Sequence, residues 1–304
     1  MKEMEMISKS KLIIGIVLLF LASCNNDKTE QAASDQKNII NVSVLPLKYF
    51  IEEMAGDFVE VNVMVPADAS PATYEPSPRK IQKLKKSDAY LRIEPLSFEQ
   101  VWMPRFRSNN KEMKVYDLAK NIELLDQGHH KHTTSENHHK QDASLGDPHI
   151  WVSPSTVLPM IENIKKALIQ LYPDHEAEVK KNYQKLKVQV EEKDQYVRDE
   201  INQMESKSFL IFHPALGYLA RDYGLNQIVI ESHGKEPSSR QMHKIIKKAR
   251  KHDVSGVLAQ KHFDMRNAKT IADELGVKVK VINPLEEEWP VMIDQIIERL
   301  NDKE

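Results

Sequence analysis

The stretch DHEAEVKKNYQKLKVQVEEKDQYVRDEINQM, residues 174–204, decides the fold of this chain. Its apolar residues step by three and four positions, and the rest are mostly charged, a pattern that predicts one amphipathic helix. The apolar positions are Val179, Tyr183, Leu186, Val190, Val197, Ile201 and Met204, interrupted at Lys193. A helix of this length runs roughly 50 Å at 1.5 Å per residue.

Two interpretations fit such a helix. A coiled-coil arm would need more than this single long stripe and an independent partner. The chain on both sides of the helix instead alternates strand and helix patterns, so a spine that joins two lobes is the better account.

The alternation is clear in both flanks of the spine. Strands are predicted at residues 39–45, 58–65, 89–93, 208–212, 226–232, 256–260 and 278–283. Helices are predicted at residues 48–55, 79–86, 213–224, 237–252, 265–276 and 289–300, and one more follows HIWVSPS and ends at about residue 171. This βαβ order favours parallel sheets. The expected fold class is α/β, with two lobes, each a mostly parallel four-stranded sheet with flanking helices, joined by one long rigid helix.

Length and charge agree with this reading. The chain has 304 residues, enough for two substantial cores. Its 43 Lys and Arg nearly balance its 45 Asp and Glu, so no global field favours nucleic acid.

The N-terminal segment has the features of an export signal. Lys9 and Lys11 stand ahead of the apolar run LIIGIVLLFLA, which is too short for an ordinary membrane span. The run ends in LASC, and Cys24 is the only cysteine of the chain. This resembles bacterial lipoprotein signals, which implies that Cys24 becomes a lipidated N-terminus. No cysteine is then left for a disulfide.

These patterns divide the chain into five parts. They are a lipoprotein signal peptide (1–24), a flexible tether (25–38), an N-terminal α/β lobe (39–172), a linking helix (173–206) and a C-terminal α/β lobe (207–304). Within the N-terminal lobe, residues 126–145 lack apolar periodicity and are expected to form a disordered histidine-rich loop.

Candidate metal ligands follow the predicted strands of the second lobe. In open parallel sheets, ligands bind outside the carboxyl ends of the strands. Those ends carry His213, His233, His262 and Asn283. Imidazole nitrogen suits zinc and neighbouring transition metals.

The first lobe adds two more candidates and a histidine tract. Glu75 lies in a proline-rich loop after the second strand, and His149 lies in a DPH turn that proline makes rigid. The tract contains His129, His130, His132, His138 and His139. We expect the tract to gather metal loosely as an auxiliary loop, or to be a plain polar insertion.

Six motifs together resemble a known family. They are LPLKYFIEEMAGD, ASPATYEPSPRKI, DPHIWVSP, FHPALGYLARDYGL, GKEPSSRQ and INPL. Their order is similar to that of the zinc- and manganese-binding lipoproteins of ABC importers. The resemblance implies a metal held between two lobes, little domain closure because the spine is stiff, and delivery to an ABC permease and its ATPase. A histidine-rich loop in this position resembles the zinc branch.

The family ligand set carries over only in part. His149 and His213 fall on family ligand positions, whereas Ala72 stands where the family usually has a histidine and Asn283 where it commonly has an aspartate. Either the site is rebuilt or the chain binds metal weakly or binds something else. We favour a rebuilt site of His149, His213 and His233, completed by Asn283, Glu75 or water, with His262 as a further candidate. Such nitrogen-rich ligands favour Zn2+ over Mn2+, which prefers oxygen.

Two other function classes remain as alternatives. A zinc hydrolase would use Glu231 or Glu236 as general base, but no HExxH motif is present and we do not expect an enzyme. An adhesin-type surface lipoprotein is the second alternative. We expect a monomer held to a bacterial membrane by lipid, on its periplasmic or extracellular face.

Overall fold

A computed structural model describes residues 38–126, 146–231, 237–261 and 265–302. The first lobe contains β1 (Asn38–Val42), α1 (Leu45–Ala55), β2 (Val59–Val63), α2 (Pro78–Lys83), β3 (Ala89–Arg92), α3 (Ser97–Asn109) and β4 (Lys114–Asp117). Its strands form one parallel sheet in the order β2-β1-β3-β4. In the register of this sheet, Ile40 of β1 lies opposite Val61 of β2 and Ala89 of β3.

The second lobe repeats the same arrangement. After α4 (Pro154–Leu171) and α5 (Glu176–Gln203), the chain forms β5 (Ser208–Ile211), α6 (Gly217–Tyr223), β6 (Asn226–Val229), α7 (Ser239–Ala249), β7 (Val257–Gln260), α8 (Met265–Leu275), β8 (Val279–Ile282) and α9 (Trp289–Asn301). The strand order β6-β5-β7-β8 matches that of the first sheet, and all pairs are parallel. The predicted fold class is confirmed.

Helix α5 is the predicted spine. Its 28 residues span about 42 Å. It packs against α1 and α4 and also against α6 and α9, so it contacts helices of both lobes. The residues that it buries are Val179, Tyr183, Leu186, Val190, Val197 and Ile201. The interruption at Lys193 has a physical cause, because its Nζ lies 2.6 Å from Asp294 Oδ1 on α9.

The sheets of both lobes are covered on two faces. Along β5 and the residue after it, Phe209 and Ile211 join a core that continues through the spine into the first lobe. Leu210 and Phe212 point the other way, into a second cluster with Ile246 of α7 and others. Strands buried on both faces are typical of parallel sheets between helices.

The structure differs from the sequence prediction in several elements. Helix α3 and strand β4 were not predicted, because Pro104 interrupts the helical pattern and β4 is only four residues long. The first predicted strand ends at Val42, since Pro46 lies in the first turn of α1. Helix α6 begins at Gly217, not at residue 213, because His213 and Ala215 form a turn in which the Ala215 N–H donates to the His213 carbonyl (2.7 Å).

None of the helices in the described part of the chain is both long and apolar enough to cross a membrane.

Candidate metal site

A small cavity lies at the carboxyl ends of the strands, between the two lobes. Its volume is about 100 Å³. The residues that line it include Ala72, Pro148, His149, Trp151, His213 and Gln260. Each lobe contributes one histidine from the predicted ligand set, because the two parallel sheets present their carboxyl ends to the same space.

His149 is held in a turn by the carboxylate of Asp147. Asp147 Oδ1 accepts the backbone N–H of His149 at 2.9 Å and lies 2.6 Å from the ring Nδ1. A carboxylate only accepts, so Nδ1 donates and Nε2 keeps the lone pair. The His149 side chain is 13% exposed, and Nε2 is therefore presented from a largely buried ring. A carboxylate behind an imidazole is the usual support of a metal-binding histidine.

Asp147 is itself fixed by residues from elsewhere in the chain. Its N–H donates to the Leu125 carbonyl (2.7 Å), and its carbonyl accepts from the Tyr218 hydroxyl (2.6 Å). The same hydroxyl accepts from the Leu125 N–H at 3.2 Å. Burial raises the pKa of Tyr218, so the hydroxyl keeps its proton and donates. We call this group of Leu125, Asp147 and Tyr218 the neck, because it joins the two chain ends that flank residues 127–145.

Gly217 allows the close approach of Asp147 to α6. A Cβ at this position would lie 2.9 Å from Asp147 Oδ2. That separation is shorter than a van der Waals contact, so any larger residue would push the carboxylate away from His149.

His213 has a parallel arrangement in the second lobe. Its Nδ1 lies 2.9 Å from Glu231 Oε1, and the Glu231 side chain is only 7% exposed. The amide of Gln260, at the end of β7, donates to the His213 carbonyl at 2.8 Å and accepts from its N–H at 3.4 Å. The backbone and the ring of His213 are therefore both positioned by neighbouring strand ends.

The two rings stand at a separation that suits one metal ion. The centroids of His149 and His213 are 5.2 Å apart, with the ring planes at 72°. Two imidazoles bound to one tetrahedral zinc, with Zn–N bonds of about 2.0–2.1 Å, place their centroids about 5 Å apart. The pair therefore matches two of the four positions of a tetrahedral site.

Other predicted ligands lie beside this cavity. Glu75 and Asn283 line an adjoining cleft of about 850 Å³, together with Asp68, Tyr74 and Lys261. The Asn283 amide donates to Glu286 (3.2 Å) and accepts from the Leu285 N–H (3.2 Å), so its own turn uses both ends of the amide. Ala72 lines the histidine cavity itself.

Several predictions fall outside the described residues. These are the predictions for Cys24, His129, His130, His132, His138, His139, His233 and His262. Among the residues that the structure does describe, no group of three or more His, Cys, Asp or Glu is arranged to hold a metal.

Sequence reasoning missed the residues that orient the two histidines. Asp147 could have been found, because an aspartate two residues before a histidine, with proline between, favours a side-chain to backbone turn. Glu231 was considered only as a general base. Gln260 and Gly217 carry no local signal, since their roles depend on chain segments far away in the sequence.

Curated relatives are similar over most of the chain. The zinc-binding lipoprotein AdcA of Streptococcus pneumoniae (strain ATCC BAA-255 / R6) is 29% identical over 286 residues, which covers 91% of this chain and 55% of AdcA. The high-affinity zinc uptake system protein ZnuA of Bacillus subtilis (strain 168) is 26% identical over 280 residues, covering 90% of this chain and 87% of ZnuA. The chain thus spans about half the length of its AdcA relative.

Solved structures and a family model agree with these relatives. A crystal structure of ZnuA has a TM-score of 0.80 at 32% identity, covering 88% of this chain and 100% of that one. A zinc-bound 138–173 deletion mutant of ZnuA has a TM-score of 0.79 at 31% identity, covering 88% and 99%. The family model described as zinc-uptake complex component A, periplasmic, matches residues 40–302. The resemblance found in the sequence is confirmed, and the chain belongs to the ZnuA family of periplasmic zinc-uptake components.

Proposed function

We propose that this chain is the extracytoplasmic zinc-binding component of an ABC importer. It captures zinc between its two lobes and delivers the ion to a membrane permease driven by an ATPase. The family to which the chain belongs is described as an uptake component, and the relatives named above are zinc-binding or zinc-uptake proteins.

One observation carries the proposal. His149 and His213 come from different lobes, their rings are 5.2 Å apart, and each ring has a carboxylate against its Nδ1. We assign the Nε2 atom of each ring as the atom that binds the ion. Paired imidazoles oriented by carboxylates favour zinc, whereas manganese prefers oxygen ligands.

The remaining ligands of the proposed site include His233. Ala72 lies on the histidine cavity and has no donor atom, so the third ligand must come from another loop. His233 follows strand β6 in the sequence, as His213 follows β5, and this position supports it as the third ligand. Asn283, Glu75, His262 or water complete the coordination. The histidine tract (residues 129–139) serves as an auxiliary collector that does not form the central site.

The proposal includes an anchor and a location. The basic and apolar N-terminal run that ends at Cys24 supports lipid attachment at that cysteine. The protein then acts as a monomer on the outer side of a bacterial membrane, within reach of its permease.

The proposal includes no catalytic step. A hydrolase would need a free general base near the metal. The Glu231 carboxylate is instead engaged with His213 Nδ1 at 2.9 Å, which supports an orienting role.

Calorimetric titration tests the proposed site. The chain starting at Asn25 is titrated with zinc and with manganese, as the parent and as three variants, His149→Ala, His213→Ala and His233→Ala. We expect one tight zinc site in the parent and a loss of affinity of at least about 100-fold in each variant, because removal of one of three imidazoles leaves an incomplete coordination sphere.

Two matched controls accompany the titration. His252→Ala removes an exposed histidine beyond the end of α7 and is expected to leave the affinity unchanged. Deletion of residues 129–139 is expected to leave the tight site nearly intact. If the deletion removes the tight site while His149→Ala does not, the assignment of the central site is wrong.

A further inference from the structure

Helix α7 and the three residues after it carry an unusual concentration of positive charge. Residues 237–252, PSSRQMHKIIKKARKH, contain no Asp or Glu. The six cationic residues of this segment are all exposed, and they are Arg240, Lys244, Lys247, Lys248, Arg250 and Lys251. We call this set the α7 basic face. The whole chain has a net charge of −2, so the charge is local.

The α7 basic face differs from the charged surface of the spine. On α5, cations alternate with anions and form pairs such as Lys180 with Glu176 (2.6 Å) and Arg198 with Asp194 (3.0 Å). In the α7 basic face, only Arg250 has an ion pair with a described residue, at 3.6 Å from Glu274. The other five cations face solvent without a carboxylate from the described part of the chain.

This arrangement opposes the stability of the helix. Arg240 and Lys244 are four residues apart on α7, as are Lys244 and Lys248, and like charges at this spacing repel each other. Cations in the last turn benefit from the helix dipole, but Arg240 lies in the first turn, where the dipole disfavours positive charge. Helix stability alone therefore does not explain the α7 basic face.

We propose that the α7 basic face adsorbs to the anionic phospholipid headgroups of the membrane surface. The choice of a lipid surface over an acidic protein rests on the proposed anchor at Cys24. The chain between that anchor and the first residue of β1, residues 25–37, cannot reach further than roughly 45 Å even when fully extended, so the folded body stays close to the membrane. The anchor then strengthens a contact that the unanchored chain also makes with anionic lipid, because it keeps the local concentration of headgroups high.

The chemistry of the face fits adsorption without insertion. The apolar residues Ile246 and Ala249 of α7 are buried in the second lobe, so they are not available to enter the acyl region. Four of the six cations are lysines, which act as flexible point charges and suit a diffuse anionic surface better than a geometric binding site. The attraction is therefore purely electrostatic and must weaken with salt.

Vesicle cosedimentation tests the proposal. The protein is made from Asn25 onward, without lipid. This truncation leaves the core intact, because the buried core residues of the described part of the chain run from Ile40 to Leu300. The protein is mixed with vesicles of equal phosphatidylglycerol and phosphatidylcholine, and with vesicles of phosphatidylcholine alone. We expect binding to the anionic vesicles only, at a low ionic strength of about 0.05 M, and release at about 0.3 M.

Two charge variants separate the α7 basic face from net charge. The first combines Lys244→Gln, Lys247→Gln, Lys248→Gln and Lys251→Gln, and its partition onto anionic vesicles is expected to fall on the order of 100-fold. The second combines Lys180→Gln, Lys181→Gln, Lys185→Gln and Lys187→Gln on α5. It loses the same number of positive charges, but from a surface where cations and anions alternate. Its partition is expected to stay within about threefold of the parent value.

Three results would overturn the proposal. The first is that the parent does not bind anionic vesicles, and the second is that the two charge variants lose vesicle binding equally. The third is that the parent binds immobilised polyaspartate through the α7 basic face but does not bind vesicles, which would assign the face to an acidic protein. Zinc titration of the α7 variant keeps this test separate from the proposed function, because the variant is expected to bind zinc with unchanged affinity. Circular dichroism melting checks that both variants are folded.

Discussion

Trp289 donates its indole N–H to the backbone carbonyl of Trp151 at 2.8 Å, which links the second lobe to the chain segment after His149. Trp151 donates its own indole N–H to the Pro284 carbonyl at 2.7 Å. Both rings are 1% exposed, so water cannot replace either partner. The two tryptophans therefore form an interlocked contact directly beside the candidate metal site.

We expect Trp289→Phe to lower the free energy of unfolding by about 1–3 kcal/mol, because the buried Trp151 carbonyl loses its donor. Urea unfolding followed by circular dichroism measures this change. Trp102→Phe is the control, since Trp102 is only partly buried on α3 and should cost less. Equal decreases in the free energy of unfolding in the two variants would show that the Trp289 hydrogen bond adds nothing to the packing of its indole ring.

Asp147→Ala is expected to weaken zinc binding by about 10- to 100-fold, because the variant loses the acceptor that orients the His149 ring. Asp147→Asn should retain most of the affinity, since its amide oxygen still accepts from Nδ1. Competition with a chromogenic zinc chelator measures both affinities.

Asp222→Ala provides the control for the orienting role. The Asp222 carboxylate accepts from the Ser153 hydroxyl at 2.6 Å and from Arg221 at 2.7 Å, and it has no histidine partner among the described residues. Its removal is expected to change stability more than zinc affinity. An Asp222→Ala variant that loses as much affinity as Asp147→Ala would contradict a specific role for Asp147.

Ala72→His is expected to raise zinc affinity by at least about tenfold, because position 72 lines the cavity of His149 and His213 and a further imidazole there can take a coordination position that a weaker ligand or water would otherwise fill. Zinc titration in the presence of a competing chelator measures the gain. Ala67→His adds a histidine to the adjoining cleft instead and should give no comparable gain. Equal affinities in the parent and in Ala72→His would argue that position 72 cannot reach the ion.

Burial of Glu99 is expected to make the stability of the fold depend on pH. Its side chain is fully buried, the Ser43 hydroxyl donates to Oε1, and Oε2 has no hydrogen-bond partner within the described residues. The pKa of Glu99 is raised from 4.5 to about 8, mainly by burial and slightly by Asp117, although the hydrogen bonds with Ser43 and the Ile93 backbone and the charge of Arg92 lower it. The protonated form is therefore the form that the folded state favours.

A raised pKa in the folded state gives a stabilising contribution that is fully present below pH 4.5 and is lost as the pH rises to about 8. We expect the parent to lose a few kcal/mol, as an order of magnitude, between about pH 5 and about pH 8.5, and Glu99→Gln to lose much less. Urea midpoints at the two pH values measure the difference. Parallel pH profiles for the two proteins would contradict this assignment.

The fold could be predicted largely because its signals are local. The stripe of α5 and the alternation of strands and helices are visible in the sequence, and the buried residues of α5 are those of the predicted stripe. Helix α3 was missed because Pro104 and its polar residues hide the pattern, and its place is fixed by packing of Phe98 and Phe106 in the core.

The candidate site was only partly predictable. The topology of parallel sheets brings His149 and His213 together, and that topology can be read from the chain. The choice of Asp147, Glu231 and Gln260 as their partners depends on how distant loops pack, which no periodicity records. The chain segments that contain His233 and His262 lie outside the described residues, so their roles stay predictions.

The neck fixes both ends of the chain interval between Leu125 and Asp147. The two positions are joined by a 2.7 Å hydrogen bond and bridged by one hydroxyl, whatever number of residues lies between them. Doubling the number of residues between two fixed points costs only about 0.6 kcal/mol of closure entropy. A change in the number of residues in this interval is therefore expected to leave the neck, and with it the position of His149, in place.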